Sequence, residues 1–131
     1  MSAIRVTLRG VPPSLNRFAG RLNSWDYRNE KTMWTQAVEY AVRTSRSRPA
    51  HPFERAEVEI MYYFPTAVRH DPDNYAGKFL LDGLTKSGVI ADDSFAHITL
   101  SVGGAVDRKE PRTVITVREV MNDGEKAQNG R

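Results

Sequence analysis

Residues 56–93 read AEVEIMYYFPTAVRHDPDNYAGKFLLDGLTKSGVIADD, and the fold turns on how this stretch divides. In its first nine residues Val58, Ile60, Tyr62 and Phe64 share one side, the period-two pattern of a strand with one buried face. Asp71 and Asp73 follow, just ahead of a segment from about Asn74 to Lys86 whose spacing predicts a helix. Gly88 stops it. Gly77 and Gly83 lie inside that segment, although interior glycine costs about 1 kcal/mol relative to alanine. Past the stop comes a second acidic pair, Asp92 and Asp93. Five aspartates therefore fall within residues 69–93 of a chain whose formal charge is +3. That concentration needs a chemical reason.

Outward from this stretch the elements are plain. Ile4, Val6 and Leu8 alternate up to Gly10-Val11-Pro12-Pro13, which predicts a first strand. An arginine-rich loop, LNRFAGRLNSWDYRN, leads into a segment from about Arg28 to Ser45. There Met33, Trp34, Ala37, Val38, Ala41 and Val42 recur at helical spacing. The basic end of that helix, RTSRSRP, complements its dipole. Two more strands are expected, Ala96–Val106 and Thr113–Val120, joined through DRKEPR. The order β-α-β-α-β-β predicts an α+β domain with a single mixed sheet and two main helices. Residues 1–120 form the expected domain, and 121–131 the expected polar, disordered tail.

Composition narrows the function. The chain has 131 residues and no cysteine, which excludes thiolate metal sites, disulfides and cysteine nucleophiles. No apolar run reaches the ~18 residues of a membrane span, and the N-terminus lacks a signal-peptide core. A cytoplasmic protein with no membrane partner is the expectation. Residues 1–56 carry ten Lys/Arg against four Asp/Glu, whereas residues 57–131 carry nine against twelve. A basic half beside an acidic cluster suits a polyanion-binding protein that also holds a cation. Uneven surface charge is the bland alternative.

Three explanations compete for the aspartates. Asp71 and Asp73 are well placed to cap a helix start, but capping one start does not call for Asp92 and Asp93 as well. An EF-hand count sets Asp71, Asp73 and Asp82 at positions 1, 3 and 12, then fails where Ala76 replaces the turn glycine. Magnesium fits better, since it takes a few carboxylates together with substrate phosphate. A helix start beside the carboxylates would favour that phosphate. Lys78, Asp82 and Lys86 form a charged stripe four residues apart, solvated by default. Lys78, one turn past Asn74, is the one placed to reach a phosphate. His70 adjoins the cluster without being needed, and His51 and His97 have no partner at metal-ligand spacing.

Taken together, D-P-D-N, a lysine, D-G-L and G-V-I-x-D-D resemble the signature of RusA-like Holliday junction resolvases. VPPSLNRF is similar to that family's element after the first strand, and KEPRTVITV to its C-terminal pattern. The resemblance runs from about residue 4 to residue 120. It implies the RusA-like fold and a homodimeric, magnesium-dependent endodeoxyribonuclease, often carried by phages, with manganese able to substitute. Such an enzyme resolves four-way DNA junctions in recombination and repair by paired symmetric nicks, in a bacterial or phage-infected cell. The metal ligands it implies are Asp71, Asp73 and Asp93, with Asp92 as a helper, and its catalytic lysine is Lys78. The family places two residues between Asp-Asn and that lysine, whereas Tyr75, Ala76 and Gly77 make three here, an addition expected at the helix start. Arg69, Asn16, Arg17, Arg21 and Arg28 are weaker candidates for DNA contact. The alternatives are a non-catalytic basic DNA-binding protein with structural aspartates, and a nuclease for flaps or other branched DNA. The metal reading expects Asp71, Asp73 and Asp93 to meet in one pocket.

Overall fold

The computed structural model describes residues 2–21 and 24–121; the tail expected over 121–131 lies, from residue 122 on, outside the described residues. Four strands, β1 (Ala3–Arg9), β2 (Ala56–Phe64), β3 (Ile98–Val106) and β4 (Arg112–Glu119), form one sheet in the order β1-β4-β2-β3. β4 is antiparallel to both β1 and β2, whereas β3 runs parallel to β2. The sheet is therefore mixed, and with helices α1 (Trp25–Arg43) and α2 (Leu81–Lys86) the domain is α+β, as the element order predicts. Short 3-10 turns at Leu15–Phe18 and Pro72–Asn74 complete the elements.

Alternation decides which face of the sheet is covered. Ile4, Val6 and Leu8 of β1, Val58, Ile60, Tyr62 and Phe64 of β2, and Ile115 and Val117 of β4 are all buried. They pack with Val38 and Val42 of α1 and Leu80 and Leu84 around α2 in one core. Removing apolar area from water is the main force holding the helices to the sheet.

Two helix boundaries differ from expectation for local reasons. α1 starts at Trp25, three residues before Arg28, because the Ser24 hydroxyl accepts from the Tyr27 N–H at 3.2 Å and fixes the N-terminus there. α2 is much shorter than the Asn74–Lys86 span. Gly77 adopts φ +87°, outside any right-handed helix, so residues 75–80 form turns instead. A Cβ at Gly77 would stand 3.0 Å from the Ile60 side chain, which ties this turn closely to β2. The additional residue before Lys78 therefore falls in a turn ahead of the helix.

Gly83 is where α2 crosses α1. A Cβ there would lie 2.5 Å from Val38 Cβ and 3.0 Å from the Thr35 carbonyl oxygen. Gly83→Ala is expected to destabilise the fold by about 1–3 kcal/mol through overpacking, despite alanine's better helix propensity. Urea unfolding measures it; an unchanged midpoint would mean that the two helices separate at little cost.

Candidate active site

β2 ends at Phe64, and the chain turns back over that end of the sheet. His70 stacks on Phe64 with ring centroids 3.7 Å apart and planes 9° from parallel, and Tyr75 meets both rings edge-on. The histidine beside the acidic cluster thus anchors the turn. These rings, with Asp71 and the Val102–Gly104 stretch of β3, enclose about 50 Å³. That is room for a water or two, so a DNA strand must lie over this end of the domain rather than inside it.

Asp71 is the N-cap residue of the Pro72–Asn74 turn, yet its side chain makes no capping hydrogen bond. Its carboxylate instead accepts from Arg69 Nε at 3.0 Å. The N-cap position of α2 is Leu80, so neither Asp71 nor Asp73 caps that helix. Asp73 is exposed. The helix start expected to seat a phosphate is absent from this position, because α2 begins only at Leu81, past Lys78.

Lys78 is exposed in the turn between two held residues. On one side the Gly77 backbone hydrogen-bonds the buried Tyr62 hydroxyl, whose pKa burial pushes far up. On the other, Phe79 is buried against Phe18 and Tyr27, with centroids 6.1 Å and 5.5 Å away. The aromatic cluster of Phe18, Tyr27 and Phe79 gathers the N-terminal loop, the start of α1 and the Lys78 turn. The Ser14 hydroxyl also hydrogen-bonds Tyr75, opposing the upward push that burial gives its pKa. This is how VPPSLNRF reaches the acidic turn. Asn16, Arg17, Arg21 and Arg28 are all exposed around the same cluster. Arg17 lies 5.4 Å over the Phe18 ring, and Arg21 donates to the Arg17 carbonyl at 2.7 Å.

Sequence reasoning missed three contributors. Tyr62 and Ser14 position the turn. Lys31 of α1 takes Asp82 as its ion-pair partner at 3.2 Å, which breaks the expected stripe of Lys78, Asp82 and Lys86. Arg28, Lys31 and Lys86 line one groove between the helices. Only the α1–α2 crossing brings them together.

The second acidic pair lies elsewhere. Ile90 bridges to Phe53, the Ala91 N–H donates to the Phe53 carbonyl, and the Ala56 N–H donates to the His97 carbonyl. Asp92 and Asp93 therefore sit beside the start of β2, whereas Asp71 sits beside its end. Measured along β3, the offset from Ile98 to Gly103 is five residues, roughly 16 Å at about 3.3 Å per residue. Asp92 is spent on its own loop: the Ser94 hydroxyl and the Asp93 N–H hold its carboxyl below the usual range. Asp93, exposed next to it, is the freer donor.

Exposed carboxylate oxygens suit a hard divalent cation. Among the described residues, however, no three His, Asp or Glu side chains stand close enough to hold one. The three-carboxylate pocket expected from the sequence does not form within a single chain, because the parallel register of β2 and β3 keeps the two acidic pairs at opposite ends. No helix among the described residues is long and apolar enough to cross a membrane.

Comparison with known proteins gives one finding. The family model described as Endodeoxyribonuclease RusA matches residues 10–118, which include every candidate residue above. No curated protein matches the chain.

Proposed function

The chain belongs to the RusA family of endodeoxyribonucleases, enzymes that act on Holliday junctions, and from that premise we propose a magnesium-dependent resolvase acting as a homodimer. Its catalytic unit is residues 1–120, and its substrate is a four-way DNA junction nicked symmetrically in two opposed strands. Its place is the cytoplasm of a bacterial or phage-infected cell.

The observation that carries this reading is the uncapped, exposed acidic turn at Asp71 and Asp73 beside a basic, aromatic-anchored surface. Asp71, Asp73 and Asp93 would hold the cation, with Asp92 bracing the loop that carries Asp93. When bound, the ion would supply neutralisation of the phosphate and a lowered pKa for the attacking water; manganese has the same preference for oxygen ligands.

The chain's own groups do the rest. Arg69 orients the Asp71 carboxylate and, being largely exposed, can also meet a phosphate. Lys78 sets an ammonium where charge builds on the phosphate or the leaving oxygen. Asn16, Arg17, Arg21 and Arg28 line the approach, and each phosphate they neutralise makes binding more sensitive to salt.

A second copy of the chain has two tasks in this reading. It provides the second site for the opposed nick, since a two-fold axis presents identical sites to the two strands. It is also the available source of the acidic pair that one chain leaves at the far end of its sheet.

The deciding experiment is cleavage of a labelled synthetic four-way junction, with flap and linear duplexes alongside. Paired symmetric cuts in the junction, abolished by a chelator while junction binding survives, are expected. Preference for the flap would assign a different branched substrate. Binding without any cleavage in Mg²⁺ or Mn²⁺ would favour a non-catalytic DNA-binding role.

A further inference from the structure

We propose that a second copy of this chain docks antiparallel along the outer edge of β3, about a two-fold axis at Val102. The inference rests on the homodimer of the preceding reading and adds the surface through which it forms.

The sheet has two edges, and they are built differently. The β1 edge strand, AIRVTLR, carries Arg5 and Arg9, charges of the kind that discourage further strand pairing. β3 is nine residues long, ITLSVGGAV, with neither charge nor proline. Its hydrogen-bonding sides can be assigned. The His97 carbonyl and the Asp107 N–H both face β2, so odd-numbered residues bond inward. The N–H and C=O groups of Ile98, Leu100, Val102, Gly104 and Val106 consequently point away from the sheet, and β3 pairs only with β2 among the described residues. A long uncharged edge of this kind is a template for another strand.

The apolar exposure lies in the same place. Leu100 and Val106 on β3 are 38 % and 47 % exposed, and Phe95, just ahead of the strand, is fully exposed. Symmetry then restricts the occupant. A two-fold axis perpendicular to the sheet runs the two β3 strands antiparallel, and outward-facing residues must meet outward-facing residues. An axis at Val102 sets Leu100 against Gly104 and Ile98 against Val106, which uses the whole strand.

Charge favours a second copy over an unrelated strand. One end of β3 carries Asp92 and Asp93. The other carries the turn to β4, where Asp107 is neutralised by Arg112 at 2.8 Å, leaving exposed Arg108 and Lys109 against Glu110. Antiparallel docking lays the acidic end of each copy alongside the basic turn of the other. The same operation moves each Asp93 toward the end of the other copy that carries Asp71.

Sedimentation and amide hydrogen exchange test this on the full chain. The wild type should be a dimer in which the Leu100 and Val102 amides exchange slowly. Leu100→Pro removes an outward N–H while sparing the bonds to β2, and Leu100→Lys charges the edge. Both should sediment as monomers with an unchanged circular dichroism spectrum, whereas Thr7→Lys on β1 should remain a dimer. A dimeric Leu100→Lys, or fast exchange at those amides in a dimeric wild type, overturns the β3 surface and leaves the proposed function standing. The exchange result needs no variant and decides the matter even where Leu100→Pro fails to fold. A monomeric wild type that still makes paired nicks overturns the homodimer and this inference together.

Discussion

Asp73→Asn is expected to lower cleavage of a four-way junction at least about a hundredfold while junction binding persists or tightens. The magnitude follows from the proposed role, since disturbing even the outer partners of a metal ligand costs about 10–100-fold. The change is nearly isosteric and the side chain is exposed, so the fold should be indifferent to it. Binding is expected to hold because a negative charge facing DNA phosphates has been removed, which offsets any lost attraction through the cation. The two readouts therefore move apart. A binding protein with structural aspartates predicts no such separation. Single-turnover cleavage and gel-shift titration on the same junction measure both, and wild-type nicking by the variant would remove Asp73 from the site.

Phe79→Ala carries the largest expected cost in stability, about 3–5 kcal/mol for a buried aromatic truncated to alanine. Phe79 sits within a three-ring cluster, and such ring pairs add about 0.5–1.5 kcal/mol beyond their burial. The loss would not stay in the core. Phe79 neighbours Lys78, and its ring is shared by the N-terminal loop and the start of α1. Cleavage should therefore remain reduced at low temperature, where the variant is folded, because the lysine turn has lost its anchor. Phe79→Leu, which keeps more of the volume, should recover much of both properties. Urea unfolding and cleavage rates measured together decide it; loss of stability with normal cleavage would separate the cluster from the catalytic turn.

The sequence alone determined the elements and the chemistry of the donors. Strand alternation at Val58, Ile60, Tyr62 and Phe64 and the apolar face of α1 are local periodicities, readable because each residue's burial follows from its own spacing. The carboxylates, the lysine and the absence of cysteine likewise fix which ion could be held, whatever the fold. Where local signals conflicted, reading fell short: Gly77 ended the helix that the apolar spacing of residues 74–86 predicted, since a positive φ required by close packing on Ile60 outweighed propensity.

Only the tertiary structure decided where the two acidic pairs stand. Strand order and register are contacts between residues far apart in the chain, and no local pattern states that β3 lies parallel to β2 at the sheet's edge. That register separates Asp71 and Asp73 from Asp93 along the strands and leaves the outer side of β3 without a partner. What looked in the sequence like one cage is, in the folded chain, two halves of a site at opposite ends of a strand.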